Sequence, residues 1–179
     1  MAIISKQRLT EYYQAKQRRD GASKVAALLR ESKNFKGLSI ETVVFLSHKH
    51  NEKEKLNEIV VLLRDHGAYV YVDWLDQSMP ANTSPKTARK LKERIQESNK
   101  FILLASEGAI NSKWCNWELG LGDGYKRLSN IALFPLRDTG KEYSGSEYLE
   151  IYPHIEEDGG IFFVKDTNGN RSRLREWLR

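Results

Sequence analysis

Two short runs hold the residues whose types and spacing could support chemistry. In the run 112–119, Ser112 is suited to cap a helix that carries Trp114 and Glu118 four residues apart, so the carboxylate lies above the indole on one helix face. A stripe of this kind is typical of a buried helix face with Glu118 at its solvated edge, and the alternative is a site built on a single carboxylate. The second run, 43–48, ends an apolar, strand-like segment on a serine and a histidine.

Nucleophile, metal and phosphate sites are less well supported by the residue pattern. Cys115, near a helix N-terminus, is a candidate nucleophile, but a small buried apolar residue is the favoured interpretation. No metal site is predicted, because no metal-ligand spacing connects the cysteine with the four histidines, His48, His50, His66 and His154. The glycines of 120–124 lie inside a predicted helix rather than between a strand and a helix, which argues against phosphate binding. Close packing against the sheet or a partner is favoured over a helix that loosens at these glycines.

The rest of the sequence indicates the elements that position these residues. Short apolar strands alternate with amphipathic helices from residue 41 onward, which predicts an α/β, flavodoxin-like three-layer fold with a five-stranded, mostly parallel sheet. The predicted strands are 42–47, 68–72, 100–105, 130–135 and 160–165. Four helices are predicted in this domain. The first begins at a capping pair formed by Asn51 and Glu54, the second spans 85–98, the third begins at Ser112, and the last spans 171–178.

Charge and composition divide the chain and restrict its class. We predict a basic helical extension over 1–40, with two helices broken at 19–21, followed by the main domain over 41–179. The extension has nine Lys or Arg against three Asp or Glu, yet no nucleic-acid-binding motif accompanies it, so nucleic acid is not an expected partner. One cysteine, no apolar run near 18 residues and no secretory signal predict a soluble protein of the cytoplasm with no membrane partner.

Several polar residues follow the predicted strands. In parallel α/β sheets the ligand crevice lies outside the carboxyl ends of the strands. This rule selects 47–49 after the first strand, the long loop from Asp73 through Pro80 to Asn82, Ser106 after the third strand, and the front of the helix that carries Glu118. We therefore expect all of these residues at one edge of the sheet.

Three segments in this order resemble the TIR (Toll/interleukin-1 receptor) domain family over about 41–178. Val44-Phe45-Leu46-Ser47-His48 is similar to the family's first box, in which an aromatic residue commonly follows the serine. The segment 66–73 is similar to its second strand, with the loop through Pro80 in the position of the family's BB loop, where Ala81 stands in place of the frequent glycine. The run 112–119 is similar to the third signature.

The resemblance implies an enzyme that cleaves the nicotinamide-ribose bond of NAD+, an NAD+ nucleosidase or ADP-ribosyl cyclase, with Glu118 as the catalytic residue. It implies NAD+ as substrate and no cofactor. The expected substrate-binding residues are Ser47, His48, Lys49, Asp73, Pro80, Ser106 and Trp114, with Lys49 suited to phosphate. Water as acceptor gives ADP-ribose, and a hydroxyl of the same molecule gives a cyclic isomer.

The resemblance also implies partners. The chain looks like the TIR component of bacterial anti-phage systems such as Thoeris, in which a nucleotide signal acts on a separate effector protein. Self-association is expected through the TIR domain and the extension over 1–40. The alternative function is a non-catalytic TIR scaffold, since animal receptor and adaptor TIR domains keep a similar Trp-Cys-x-x-Glu-Leu box.

Overall fold

The computed structural model describes residues 3–31, 42–50, 52–75 and 84–179. Its strands are β1 (Ile4–Ser5), β2 (Val43–Ser47), β3 (Tyr69–Tyr71), β4 (Lys100–Ala105), β5 (Ile131–Arg137), β6 (His154–Asp158), β7 (Ile161–Lys165) and β8 (Arg171–Arg173). Its helices are α1 (Lys6–Asp20), α2 (Ala22–Glu31), α3 (Lys53–Asp65), α4 (Pro85–Glu97), α5 (Glu107–Ile110), α6 (Lys113–Tyr125), α7 (Ser146–Ile151) and α8 (Leu174–Trp177).

The strands form one sheet in the order β3-β2-β4-β5-β6-β7-β8, with β1 paired to the end of β5. All pairs from β3 through β6 are parallel, which is the flavodoxin-like order. The predicted fold class is therefore confirmed. The sheet is larger than predicted, since the described residues contain eight strands rather than five.

The fifth parallel strand is β6, which the sequence analysis missed, and the predicted strand 160–165 is present as β7 in an antiparallel hairpin. The sequence of β6, His-Ile-Glu-Glu-Asp, is too polar to resemble a buried strand. Tertiary contacts stabilise it: Glu156 is buried and forms an ion pair with Arg171 at 2.5 Å. Because Arg171 belongs to β8, which pairs with β7, the predicted helix over 171–178 begins only at Leu174.

Two apolar layers cover the sheet. On one face, α1, α3 and α8 contribute the buried side chains of Leu9, Leu56, Ile59, Leu63 and Leu174. On the other face, α4, α5 and α6 contribute Leu91, Ile95, Ala109, Cys115 and Leu119. Successive residues of β2 alternate between the layers, with Val44 and Leu46 in the first and Phe45 in the second. This alternation turns Ser47 towards α6.

Several predicted helix boundaries agree with the structure. Ser84 caps α4 by accepting a hydrogen bond from the amide of Thr87, with Pro85 at the first helical position. Helix α3 begins at Lys53, with Glu52 at the N-cap position, and Asn51 lies outside the described residues. In the part of the chain that the structure describes, no helix is both long enough and apolar enough to cross a bilayer.

The described part of the predicted extension packs against the main domain. Strand β1 pairs with β5 in parallel, and both Ile4 and Leu9 lie in the core. Lys16 is buried in an ion pair with Asp65 of α3, and the hydroxyl of Tyr12 donates a hydrogen bond to the same carboxylate at 2.6 Å. The segment therefore contributes to folding, and its predicted boundary at residue 40 falls outside the described residues.

Replacement of Leu9 tests this contribution. Leu9→Ala removes a fully buried side chain, and we expect the free energy of unfolding to fall by about 2–4 kcal/mol. The matched control is Gln14→Ala, at an exposed position of the same helix. Urea unfolding of both variants measures the difference, and a loss below about 1 kcal/mol for Leu9→Ala would show that α1 is dispensable for the core.

Candidate active site

The centre of the candidate site is a buried pair formed by Ser47 and Glu118. Ser47 is the last residue of β2, and its hydroxyl donates a hydrogen bond to Oε2 of Glu118 at 2.5 Å. Only 1% of Ser47 and 3% of Glu118 are exposed. The carboxylate is therefore buried at the carboxyl edge of the sheet, where ligand crevices form in this class of fold.

Helix α6 brings Glu118 to this edge. The hydroxyl of Ser112 accepts a hydrogen bond from the amide of Cys115 and caps the helix, as predicted. At Gly122, a Cβ would lie 3.0 Å from the ring of Phe101 in β4, which is closer than ordinary contact, so glycine favours this approach of the helix to the sheet. The predicted close packing is thus found at Gly122, whereas a Cβ at Gly120 or Gly124 would meet no atom within 4 Å.

Burial controls the ionisation of Glu118. It raises the pKa of the carboxyl group to about 8, because the charged form loses its hydration. The hydrogen bond from Ser47 and the side chain of Trp114 act in the opposite direction, and the negative charge of Asp73 adds to the rise. Near neutral pH, the free protein holds Glu118 largely as the neutral acid.

His48 points away from Glu118, as its position after Ser47 requires. Its Nδ1 lies 3.3 Å from the carbonyl oxygen of Leu46, and its Nε2 lies 3.7 Å from Oδ1 of Asp73. Burial lowers the pKa of the imidazole despite the nearby carboxylate. The ring stacks on that of His50 at 6.0 Å between centroids, since β2 ends before these residues.

Comparison with known proteins identifies the fold that builds this site. A family model described as the TIR domain matches residues 44–164. The chain belongs to the TIR domain family. A probable 3' cyclic ADP-D-ribose synthase, ThsB', of Bacillus cereus (strain MSX-D12) is 30% identical to it over 146 residues, which cover 76% of this chain and 75% of that protein.

In this TIR domain, three of the predicted site residues, Ser47, Asp73 and Trp114, act on Glu118, and a fourth, His48, lies behind Asp73. Ser47 donates the hydrogen bond, Trp114 and Asp73 affect the pKa of the carboxyl group, and His48 lies next to Asp73. The ring of Trp114 is half-buried and packs against Trp117, with 4.8 Å between centroids. The functional roles of these residues stay predictions.

The other predicted site residues have different locations. Lys49 and Ser106 line a neighbouring pocket of about 360 Å³ above the ends of β2, β4 and β5. The hydroxyl of Ser106 accepts a hydrogen bond from the amide of Ala109 and thereby begins α5. Pro80 and the rest of the loop 76–83 lie outside the described residues.

Sequence reasoning missed most of the walls of this pocket, including Lys6, Glu52, Arg137 and Tyr143. The strand-end rule, applied also to β5, would have selected Arg137 and the segment after it. No signal indicated Lys6, because it is brought to the pocket by the two-residue strand β1, which was not predicted.

The structure does not support Cys115 as a nucleophile. Cys115 is buried, and burial raises the pKa of its thiol to about 11, so it is a small buried apolar residue as favoured. Among residues 3–31, 42–50, 52–75 and 84–179, no cluster of three or more His, Cys, Asp or Glu side chains is arranged to hold a metal ion.

The elevated pKa of Glu118 predicts a pH-dependent difference in stability. Folding favours the protonated form, so this contribution is fully present below about pH 4.5 and is lost as the pH rises towards 8. Glu118→Gln cannot titrate, and we expect its stability relative to the native protein to increase by roughly 3–4 kcal/mol from pH 5 to pH 8. Urea unfolding at both pH values measures this, and a difference that does not change with pH would contradict the assignment.

Proposed function

We propose that this TIR domain cleaves the bond between nicotinamide and ribose in NAD+, with Glu118 as the catalytic carboxylate. The observation that carries the proposal is the buried hydrogen bond between Ser47 and Glu118 at the carboxyl edge of the sheet. The similarity to a probable cyclic ADP-D-ribose synthase supports it, because that relative is named for a product made of the same ADP-ribosyl group.

A single carboxylate suffices for this reaction. Nicotinamide in NAD+ is already cationic, so it leaves as a neutral molecule with the electron pair of the bond and needs no general acid. The ribose carbon then develops positive charge, which a nearby carboxylate stabilises strongly in a site from which water is excluded. Trp114 supplies an apolar wall beside this carboxylate.

Substrate binding and ionisation are coupled in this scheme. The neutral Glu118 of the free protein is replaced by the anion when a pyridinium cation lies beside it, because opposite charges favour the charged form. Ser47 orients the carboxylate through its hydrogen bond. The site therefore becomes charged when a cationic substrate is present to compensate the charge.

The acceptor determines the product. We propose a hydroxyl of the same molecule as acceptor, so that a cyclic ADP-ribose forms, with water giving ADP-ribose as the competing product. The new bond joins the hydroxyl oxygen to the ribose carbon, and the hydroxyl proton passes to solvent. Such a product is suited to act as a signal in anti-phage defence that a separate effector protein binds.

Association of TIR domains belongs to the same proposal. The outward positions of α1 and α2, including Arg18, Lys24 and Arg30, are exposed and positively charged. These residues provide a surface for contacts between chains while Leu9 and Lys16 hold the segment on its own domain. Activity is accordingly expected to increase with protein concentration.

Glu118→Gln tests the catalytic role. We expect nicotinamide release from NAD+ to fall at least about 100-fold, because the variant loses the charge that stabilises the reacting centre. The control is Glu54→Gln, at an exposed position in the first turn of α3. Chromatography of the nucleotide products at high protein concentration measures both. Equal release by Glu118→Gln would refute the mechanism, and no release by the native protein would favour the scaffold function.

The pH dependence tests the ionisation of the same group. If the anion of Glu118 is the active form, kcat/KM for NAD+ rises with pH up to an apparent pKa near 8 in the free enzyme. Ser47→Ala removes the hydrogen bond that favours the anion, so the rise moves to higher pH. Initial rates of nicotinamide release between pH 6 and 9.5 measure this, and a profile that falls with pH contradicts it.

A further inference from the structure

The pocket beside the catalytic pair contains groups that the cleavage step does not use. It has a volume of about 360 Å³ and is bounded by the loop after β2, the start of α5 and the segment after β5. Lys49 on its wall is two residues from Ser47, a separation that spans at most about 7 Å of chain. A ligand with one end at Glu118 therefore reaches the pocket with its other end.

Four cationic side chains line this pocket, and two of them, Lys49 and Arg137, are available to a ligand charge. Lys6 and Lys141 form ion pairs with Asp138, whereas neither Lys49 nor Arg137 pairs with a carboxylate among the described residues. The guanidinium of Arg137 donates hydrogen bonds to the backbone carbonyl oxygens of Ile3 and Lys141, each at 3.4 Å.

Arg137 is the last residue of β5, and Lys49 follows the end of β2 by two residues. Strand β4 lies between these two strands, so their axes are about 10 Å apart. The side chain of Lys49 lies against Gly108, where a Cβ would be 2.9 Å from its Cδ. This arrangement suits a phosphate chain placed between the two cations.

Two further polar groups on the pocket wall have no hydrogen-bond partner among the described residues. They are Oε2 of Glu52 and the hydroxyl of Tyr143, and both atoms are buried. Glu52 occupies the N-cap position of α3, yet its side chain caps no amide of the helix. A buried carboxylate oxygen without a donor is unfavourable, so hydroxyl or amino donors of a ligand would be stabilised here.

We propose that this pocket binds the adenosine diphosphate half of the substrate, with the phosphates between Lys49 and Arg137 and the ribose or adenine donors at Glu52 and Tyr143. The inference rests on the proposed cleavage of NAD+. Inorganic phosphate would satisfy the cations but not the two unpaired acceptors, and the pocket volume lies within the range of small-ligand sites.

Binding at this position has a consequence for the product. It keeps the second ribose of NAD+ at the same edge of the sheet as Glu118. A hydroxyl of that ribose then attacks the ribose carbon as nicotinamide leaves, which closes the ring without a water molecule. The pocket thus explains how one carboxylate site favours a cyclic product.

The test compares pocket variants with matched controls. Gly108→Ala displaces Lys49 without changing charge, and Gly124→Ala is its control, since a Cβ there meets nothing within 4 Å. Tyr143→Phe removes the unpaired hydroxyl, and Tyr125→Phe is its control at an exposed tyrosine. Calorimetric titration with ADP is expected to give a Kd at least about fivefold higher for both pocket variants and within twofold for both controls.

A second measurement compares two substrates. Nicotinamide mononucleotide has the same bond as NAD+ but lacks the adenosine half, so the ratio of kcat/KM for NAD+ to that for the mononucleotide should fall at least about fivefold in both pocket variants. Absence of cleavage of either substrate by the native protein would overturn the proposed function, and ADP binding would still decide the inference. The inference is overturned if ADP does not bind, if neither variant weakens it, or if inorganic phosphate binds as tightly as ADP.

Discussion

The main physical constraint in this TIR domain is the burial of one carboxyl group of α6 against the end of β2. Glu118 is almost entirely removed from solvent, and its ionised form would be costly without compensation. The hydroxyl of Ser47 supplies a hydrogen bond, and the raised pKa allows the group to remain neutral until a cation is present. The fold must therefore hold α6 close to the end of β2. Gly122 contributes to this, because it lets α6 approach the ring of Phe101 in β4.

Part of this arrangement could be predicted from sequence, because it follows from local rules. The alternation along β2 places Phe45 and Ser47 on one face of the sheet, and the spacing in α6 places Trp114 and Glu118 on one face of the helix. These two faces pack against each other. The site residues meet at the carboxyl edge of the sheet, as expected for parallel strands, whose carboxyl ends lie at the same edge. The assignment of the chain to the TIR family is consistent with these rules and with the matched range of residues.

Other parts depend on long-range contacts that no local pattern indicates. Strand β6 is polar and is stabilised by an ion pair with Arg171 from another strand. Strand β1 has two residues and exists because the adjacent α1 packs on α3, where Lys16 and Asp65 form a buried pair. The sequence analysis selected Lys49 and Ser106 on the wall of the pocket beside Glu118, but not Lys6, because Lys6 reaches the pocket only through the pairing of β1 with β5.

The most direct test of the central claim is a titration of the Glu118 carboxyl carbon by NMR, using protein labelled with carbon-13 at the glutamate side chains and Glu118→Gln to assign the signal. The account predicts an apparent pKa near 8 in the free protein. It further predicts a fall of at least about one unit when carbocyclic NAD+, a cationic analogue that is not cleaved, is bound. A carboxyl group that titrates near 4.5 in the free protein, or one that does not respond to the analogue, would contradict the account.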